Sequence, residues 1–330
     1  MAELKGSFAR TLDYVRISIT DRCNYRCQYC MPEEGIPCMG HEEILSYEEI
    51  MDLCLVLHEL GVRKVRITGG EPMVRKGLLG FLRLLVEKLP DLHVALTTNG
   101  SLLLQTAEEL SKIPLSGINV SLDTMNPEKF RSLTRRGSLE EVLEGIRALR
   151  AASGVPLKIN TVLIRDFNDD EITELLRFAG SCNAVLRLIE FMPLDESVWN
   201  RNRFISADEI VDRLPDREKW IPEASGRRNP NHGIPEGPAR YLVNVETGQR
   251  LGIIAAVSHH FCENCNRLRV TAAGELRSCL FSAEGVSLRE ALRKKDLGAA
   301  RRLIIAEAGR KPRCWKDVVL SPQHMSQLGG

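Results

Sequence analysis

From Tyr14 to Pro193 the chain alternates between short runs rich in Val, Ile and Thr and longer runs whose apolar residues recur at helical spacing. The strand candidates are residues 14–20, 64–70, 93–100, 117–123, 157–164 and 185–193. Helix-like segments between them include "SYEEIMDLCLVLHELG", "GLLGFLRLLVEKL", "NPEKFRSL", "SLEEVLEGIRALRAA" and "DDEITELLRFAG". In the first of these Ser46 precedes Glu49 by three residues, the spacing that closes a capping box at a helix start. Strands that alternate with helices are joined by right-handed crossovers and lie parallel. The pattern predicts an α/β fold, an incomplete (β/α)6 TIM-like barrel.

The strands have two unlike faces. Val15, Ile17, Ile19, Val65, Ile67, Ile118, Val120, Leu122, Leu157 and Ile159 make apolar faces suited to packing under helices. Between them stand Arg16, Ser18, Thr20, Arg66, Thr68, Asn119, Ser121, Asp123, Lys158 and Asn160. Parallel strands covered on both sides read as nearly continuous apolar runs. A closed eight-stranded barrel fills its interior with branched side chains. Burying bare charges there would cost several kcal/mol each. The polar faces therefore predict a wet or ligand-filled lumen, which six strands would leave open.

After Pro193 the rhythm stops. Residues 195–240, with "ASGRRNPNHGIPEGPAR", read as a linker or lid. "YLVNVETGQRLGIIAAVS" and "RLRVTAAGELRSCL" read as hairpins, and "SLREALRKK" and "LGAARRLIIAEAG" as helices. The expected division is a core over 1–225 and an extension over 226–330 with a Gly-Gly tail.

Six of the ten cysteines form two triads. Cys23, Cys27 and Cys30 follow the first strand as C-x3-C-x2-C, in the kind of loop where α/β barrels carry their chemistry. Cys262, Cys265 and Cys279 make C-x2-C-x13-C. A structural zinc site needs four ligands. His41 could complete the first triad, and His259 or His260 the second. Iron–sulfur cubanes normally take four thiolates, so a triad would leave one iron open to an outside ligand.

C-x3-C-x2-C after a first strand, with Tyr29 before the last cysteine, is the motif of the radical SAM enzymes. "GGEP" at Gly69–Pro72 resembles their contact to the methionine amino group. With "RISITDRCNYRCQYCMP", "VRITGGEP", "LTTNG", "NVSLD", "IEFMP", "FCENCNRLR" and a terminal "GG", the chain resembles the GTP 3′,8-cyclase family along nearly its whole length. The resemblance implies two [4Fe–4S] clusters, one on Cys23, Cys27 and Cys30 and one on Cys262, Cys265 and Cys279. It places S-adenosylmethionine on the open iron of the first, beside Tyr29, Gly70, Ser121 and Met192. It places the guanine of GTP on the open iron of the second, with Arg16, Arg66, Thr97, Lys158, Arg267, Leu268 and Arg269 against the substrate. Cations from separate strands suit a triphosphate, which arginine binds in bidentate fashion.

The implied reaction needs no catalytic side chain. A deoxyadenosyl radical takes hydrogen from ribose C3′, C3′ attacks C8 of guanine, and one-electron reduction gives 3′,8-cyclo-7,8-dihydro-GTP, the first step of molybdenum cofactor biosynthesis. The resemblance further implies a flavodoxin- or ferredoxin-like electron donor, cyclic pyranopterin monophosphate synthase downstream, a homodimer, and entry of Gly329 and Gly330 into the active site.

With 45 basic and 44 acidic residues, no bulk field favours a nucleic-acid or membrane partner. Residues 1–20 lack an apolar signal core, and no run is long enough to span a bilayer. The expected location is the cytoplasm, where cysteines serve as thiols or metal ligands. Two other readings remain open. A radical SAM peptide maturase with an auxiliary cluster would show a longer cysteine series. A zinc or iron–sulfur scaffold would leave "GGEP" and the polar strand faces unexplained.

Overall fold

The alternation becomes a parallel sheet wrapped by helices. The computed structural model describes residues 3–194, 198–223 and 237–318. In chain order the elements are β1 (Tyr14–Ser18), α1 (Tyr47–Glu59), β2 (Lys64–Thr68), α2 (Leu78–Lys88), β3 (His93–Thr98), α3 (Leu103–Ser111), β4 (Gly117–Ser121), α4 (Pro127–Thr134), α5 (Leu139–Ala152), β5 (Leu157–Leu163), α6 (Ile172–Ser181) and β6 (Val185–Glu190). Then come α7 (Ala207–Asp212), β7 (Trp220–Pro222), β8 (Arg240–Asn244), β9 (Arg250–Ile254), β10 (Arg267–Val270), β11 (Glu275–Arg277), β12 (Val286–Ser287), α8 (Arg289–Arg293) and α9 (Leu297–Gly309). No described helix is long and apolar enough to cross a membrane.

Local signals set the helix starts. The Ser46 hydroxyl accepts the Glu49 N–H, and the Glu49 carboxylate accepts the Ser46 N–H at 2.6 Å. Asn126 caps α4 ahead of Pro127, and Ser138 caps α5. The apolar strand faces pack as expected: Val15, Ile17, Val65, Ile67, Val120 and Ile159 are wholly buried beneath the helices.

Six parallel strands run side by side from β1 to β6, but they are not the whole parallel sheet. β10 joins β1 and β9 joins β6, both parallel. Eight parallel strands therefore stand in the order β10-β1-β2-β3-β4-β5-β6-β9. The antiparallel β11 and β12 extend one edge, and β8 and β7 the other. The expected (β/α)6 core is thus present, and strands of the C-terminal part extend its sheet on both sides. The edges of β1 and β6 offer unpaired N–H and C=O groups, and strands of the extension satisfy both. The expected boundary at 225/226 lies outside the described residues, as do Gly329 and Gly330.

Two further elements differ from expectation. The expected linker 195–240 contains α7, whose start is a capping box between Ser206 and Glu209, and the strand β7. The S-x-x-E signal is present in the sequence, overshadowed by the Gly- and Pro-rich stretch after it. Helix α3 was not among the helix-like segments either, although Leu103, Ala107 and Leu110 bury one of its faces.

Candidate functional site

The first triad sits in the loop after β1, and the start of the β2–α2 connection holds that loop. The Gly70 N–H donates to the Thr20 carbonyl at 2.8 Å and the Glu71 N–H to the Arg22 carbonyl at 2.9 Å. A Cβ on Gly70 would stand 2.4 Å from the Arg22 oxygen, so this close approach admits only glycine. Glu71 is fully buried and accepts from the Thr98 hydroxyl at 2.8 Å, the Asn99 N–H at 2.6 Å and the Met73 N–H at 2.9 Å. Burial pushes its carboxyl up to about 7 against the pull of those donors. The Asn99 amide donates to Asn24 at 2.9 Å and lies 3.9 Å from the Cys23 sulfur. "GGEP" and "LTTNG" thus brace the cysteine loop together. Glu71 and Asn99 are positioning residues that motif reading alone did not single out.

Tyr29 donates its hydroxyl to Asp123 at 2.7 Å, and Asp123 accepts the Val162 N–H at 2.7 Å. Burial raises Asp123 to about 6. Burial also pushes Cys23 up to about 11 and raises Cys27, which faces Cys30 and Cys23 as well. These thiols release protons when a metal binds. Their three sulfurs are not among the described ligand groups that converge within 4.8 Å, and His41 is exposed. Three thiols on one loop, with no fourth protein ligand beside them among the described residues, fit a [4Fe–4S] cluster whose fourth iron takes an outside ligand.

The second triad faces the same cavity. The Cys265 N–H donates to the Cys262 carbonyl at 3.1 Å in a tight turn before β10. Cys262, Cys265 and Cys279 line the cavity together with Cys23, Cys27 and Cys30. Burial alone would raise Cys265, but Arg267 and Lys311 outweigh it and draw the thiol down to about 6. Lys311 is buried and donates to the Arg267 carbonyl at 2.7 Å and the Ser278 carbonyl at 2.6 Å. It comes from the "RKPRCWKD" stretch, which carried no recognisable motif.

Between the triads runs a row of cations created by strand register. Arg269 of β10, Arg16 of β1 and Arg66 of β2 are direct neighbours across adjacent strands, spaced about 4.8 Å per strand. Thr97, Asn119 and Lys158 align in the same way across β3, β4 and β5. Like charges side by side on a sheet are destabilising. Burial and the nearby Arg269 hold Arg16 well below the usual guanidinium range, and burial with Arg267 brings Arg269 down to about 10. Arg66 donates to the Tyr14 hydroxyl at 2.6 Å, the Leu96 carbonyl at 3.0 Å and Thr97 at 3.3 Å. The buried Nε of Arg16 has no partner. Asp123 is the sole carboxylate among the described residues lining the cavity, so carboxylates do little to balance the row, which suits an anionic ligand.

Every site residue expected from the sequence lines this cavity except Leu268. Leu268 is fully buried in the core. Alternation between Arg267 and Arg269 turns its side chain to the other face of the sheet, leaving its backbone beside the cavity-lining arginines. Lys64 and Arg187 line the cavity too. Arg187, whose Nε donates to Asn160 at 2.9 Å, shares the parity of the inward residues of β6, a signal available in the sequence and not used.

Comparison with known proteins agrees with this arrangement. Residues 17–179 match the Radical SAM superfamily, and residues 184–316 match Molybdenum Cofactor Synthesis C. The chain is 42% identical to a GTP 3′,8-cyclase of Peptoclostridium acidaminophilum, over 99% of this chain and 98% of that one. It is 41% identical to a GTP 3′,8-cyclase of Thermodesulfovibrio yellowstonii, over 99% of this chain and 100% of that one. Its fold is shared with Streptococcus suis SuiB bound to S-adenosylmethionine, with a TM-score of 0.63 and 15% identity over 88% of this chain and 66% of that chain. With two cysteine triads facing one cationic cavity and this similarity along its length, the chain belongs to the GTP 3′,8-cyclase family of radical SAM proteins, which use S-adenosylmethionine and a [4Fe–4S] cluster.

Proposed function

We propose that the protein converts GTP to 3′,8-cyclo-7,8-dihydro-GTP, the first step of molybdenum cofactor biosynthesis. The observation that carries the reading is the in-register row of Arg269, Arg16 and Arg66 between two three-cysteine sites. A peptide substrate gives that row no reason to exist, whereas a triphosphate neutralises it.

Cys23, Cys27 and Cys30 would hold the first [4Fe–4S] cluster, and Cys262, Cys265 and Cys279 a second. With S-adenosylmethionine bound, the first cluster supplies the one-electron chemistry that starts the reaction. The chain's own part is placement. Gly70 lets the backbone approach closely where S-adenosylmethionine would lie, with Tyr29, Ser121 and Met192 around it. Arg16, Arg66, Thr97 and Lys158 bind phosphates, and Arg267 and Arg269 hold the substrate next to the second triad. Fixing both reactants in one enclosed space lowers the entropic part of the barrier and keeps water from the reacting carbon.

Under this reading residues 1–225 are the radical SAM core and 226–330 the substrate-binding extension. The protein works in the cytoplasm as a homodimer. It takes electrons from a flavodoxin- or ferredoxin-like donor and passes its product to cyclic pyranopterin monophosphate synthase. The test is anaerobic reconstitution followed by reduction with S-adenosylmethionine and GTP. The expected result is GTP-dependent 5′-deoxyadenosine together with a cyclised nucleotide. Cys265→Ser is expected to keep S-adenosylmethionine binding and lose cyclisation, and retained cyclisation would overturn the second-cluster assignment.

A further inference from the structure

Strand pairing alone does not fix the cysteines of the second triad. β10 and β11 pair Arg269 with Arg277 and Val270 with Leu276. Cys265 comes before that ladder and Cys279 after it, and Cys262 sits in the turn ahead of both. Where the ladder ends, the Lys311 ammonium takes over. It donates to the Arg267 carbonyl at 2.7 Å and the Ser278 carbonyl at 2.6 Å, and so bridges the approaches to Cys265 and Cys279. The Arg10 guanidinium donates to the Cys262 carbonyl at 2.8 Å and to the carbonyls of Lys311 and Pro312 at 2.9 and 2.8 Å. We propose that Arg10 and Lys311 are positioning residues for the second cluster: they clamp the three cysteine-bearing segments together and place uncancelled positive charge beside the cluster. This rests on the assignment of Cys262, Cys265 and Cys279 to that cluster.

Both side chains are buried. A buried charge costs several kcal/mol unless something compensates it, so the groups each cation faces are informative. Both direct their hydrogen bonds to backbone carbonyls, Arg10 adding one from Nε to Ser7 at 3.1 Å. A carboxylate would cancel the charge, whereas carbonyls satisfy the donors and leave the charge in place. The groups of opposite charge that act most strongly on Lys311 are Cys265 and Cys279. Three thiolates on a cubane give a net negative charge that grows on reduction, and a cation in a poorly screened interior favours the reduced form.

The two residues act in series. Arg10 grips the carbonyl of Lys311 itself, so it helps set where the ammonium points. Buried Glu307 of α9 accepts the Ser278 N–H at 3.2 Å, so the residue before Cys279 is held at both of its backbone groups. Arg10 precedes Cys262 by 252 positions. The segment ahead of β1 is thereby part of the second triad's support, joined to it through tertiary contact and not through any shared motif.

The full-length chain with Cys23→Ser, Cys27→Ser and Cys30→Ser isolates the second cluster, which anaerobic reconstitution with iron and sulfide should load. In that background Lys311→Gln keeps a donor and loses the charge. It should hold the cluster but lower its midpoint potential by about 59 mV or more, a tenfold change in the ratio of reduced to oxidised cluster. Lys311→Arg keeps the charge and should hold that ratio within about twofold. Arg10→Ala should speed loss of the cluster to a chelator about tenfold, at the low end of the roughly 10- to 100-fold cost of removing a group that supports metal ligands. Arg10→Lys should recover part of that loss. Arg313→Gln removes a cation of the same segment whose side chain is 71% exposed, and should change neither reading. In a chain with Cys262→Ser, Cys265→Ser and Cys279→Ser, both Arg10→Ala and Lys311→Gln should load the first cluster normally, which separates local support from loss of the fold. An unmoved potential in Lys311→Gln, an equal drop in Lys311→Arg, an unchanged chelation rate in Arg10→Ala, or loss of the first cluster in either variant overturns the proposal. A parent chain that loads no second cluster with Arg10 and Lys311 intact overturns the second-cluster assignment, and the proposal falls with it.

Discussion

Gly70→Ala tests whether the turn after β2 sets the cysteine loop. The added Cβ would lie 2.4 Å from the Arg22 oxygen, 2.7 Å from the Arg22 carbonyl carbon and 2.8 Å from the Asp21 oxygen. All three are backbone atoms, so no side chain can rotate away. Restoring the 3.4 Å of ordinary contact requires a shift of 1.0 Å. That shift pulls on the hydrogen bonds from Gly70 to Thr20 and from Glu71 to Arg22, each worth about 1 kcal/mol. Overpacking adds about 1–3 kcal/mol. The sum is smaller than the roughly 5–15 kcal/mol of a folded domain, so the variant should fold with a lowered denaturant midpoint. A displacement of this size near the reacting groups costs about 100-fold in rate, and S-adenosylmethionine cleavage by the reconstituted protein should slow by that order. Gly80→Ala is the control. It lies in α2 with nothing within 4 Å of the new Cβ, and should be neutral or stabilising by about 0.5–1 kcal/mol. If Gly70→Ala cleaves S-adenosylmethionine within twofold of the natural chain's rate, the close-approach argument is wrong.

Two other perturbations address the cation row. Arg16→Ala removes one charge-assisted contact worth about 1.5–3 kcal/mol, so GTP affinity should drop about 10- to 100-fold. S-adenosylmethionine affinity should hold, and the free protein should lose little stability because Arg16 stands against Arg269; equal GTP affinity by calorimetry would refute the row as the phosphate site. Tyr14 carries a pH signature. Burial raises its phenol, but Arg66, Arg16 and Lys64 outweigh burial and draw it down to about 6 from 10.0. A depressed folded value means stabilisation is complete above the unfolded pKa and is lost as pH falls from about 10 to about 6. The natural chain should gain on the order of several kcal/mol over Tyr14→Phe across that window, read from denaturation midpoints and ultraviolet phenolate absorbance. Parallel pH curves for the two proteins would contradict the assignment.

Much of the site was readable because strands have a period of two. Once Val15 and Ile17 are assigned to the core, Arg16 must face the other way, and the same parity sends Arg66, Asn119 and Lys158 inward. The same rule, applied to "RLR", would have turned Leu268 into the core and kept Arg267 and Arg269 for the cavity. Ser46 and Glu49 announced α1, and Ser206 and Glu209 announced α7 no less clearly. Glu71 and Asn99 were visible in "GGEP" and "LTTNG", but their mutual hydrogen bond joins segments 28 residues apart.

The sequence by itself determined the order of strands and helices, the face each side chain takes, and the two three-cysteine groups. Those properties come from spacing within a few residues, where backbone periodicity leaves little freedom. Only the tertiary structure decided that β10 lies beside β1 and β9 beside β6. A sheet edge offers the same N–H and C=O groups to any strand, so backbone hydrogen bonding does not encode the partner. That pairing makes neighbours of Arg269, Arg16 and Arg66, brings the second triad to the cavity of the first, and sets Lys311 and Cys314 against it. The chemistry of this protein depends on contacts between residues hundreds of positions apart, and packing of the whole sheet fixes them.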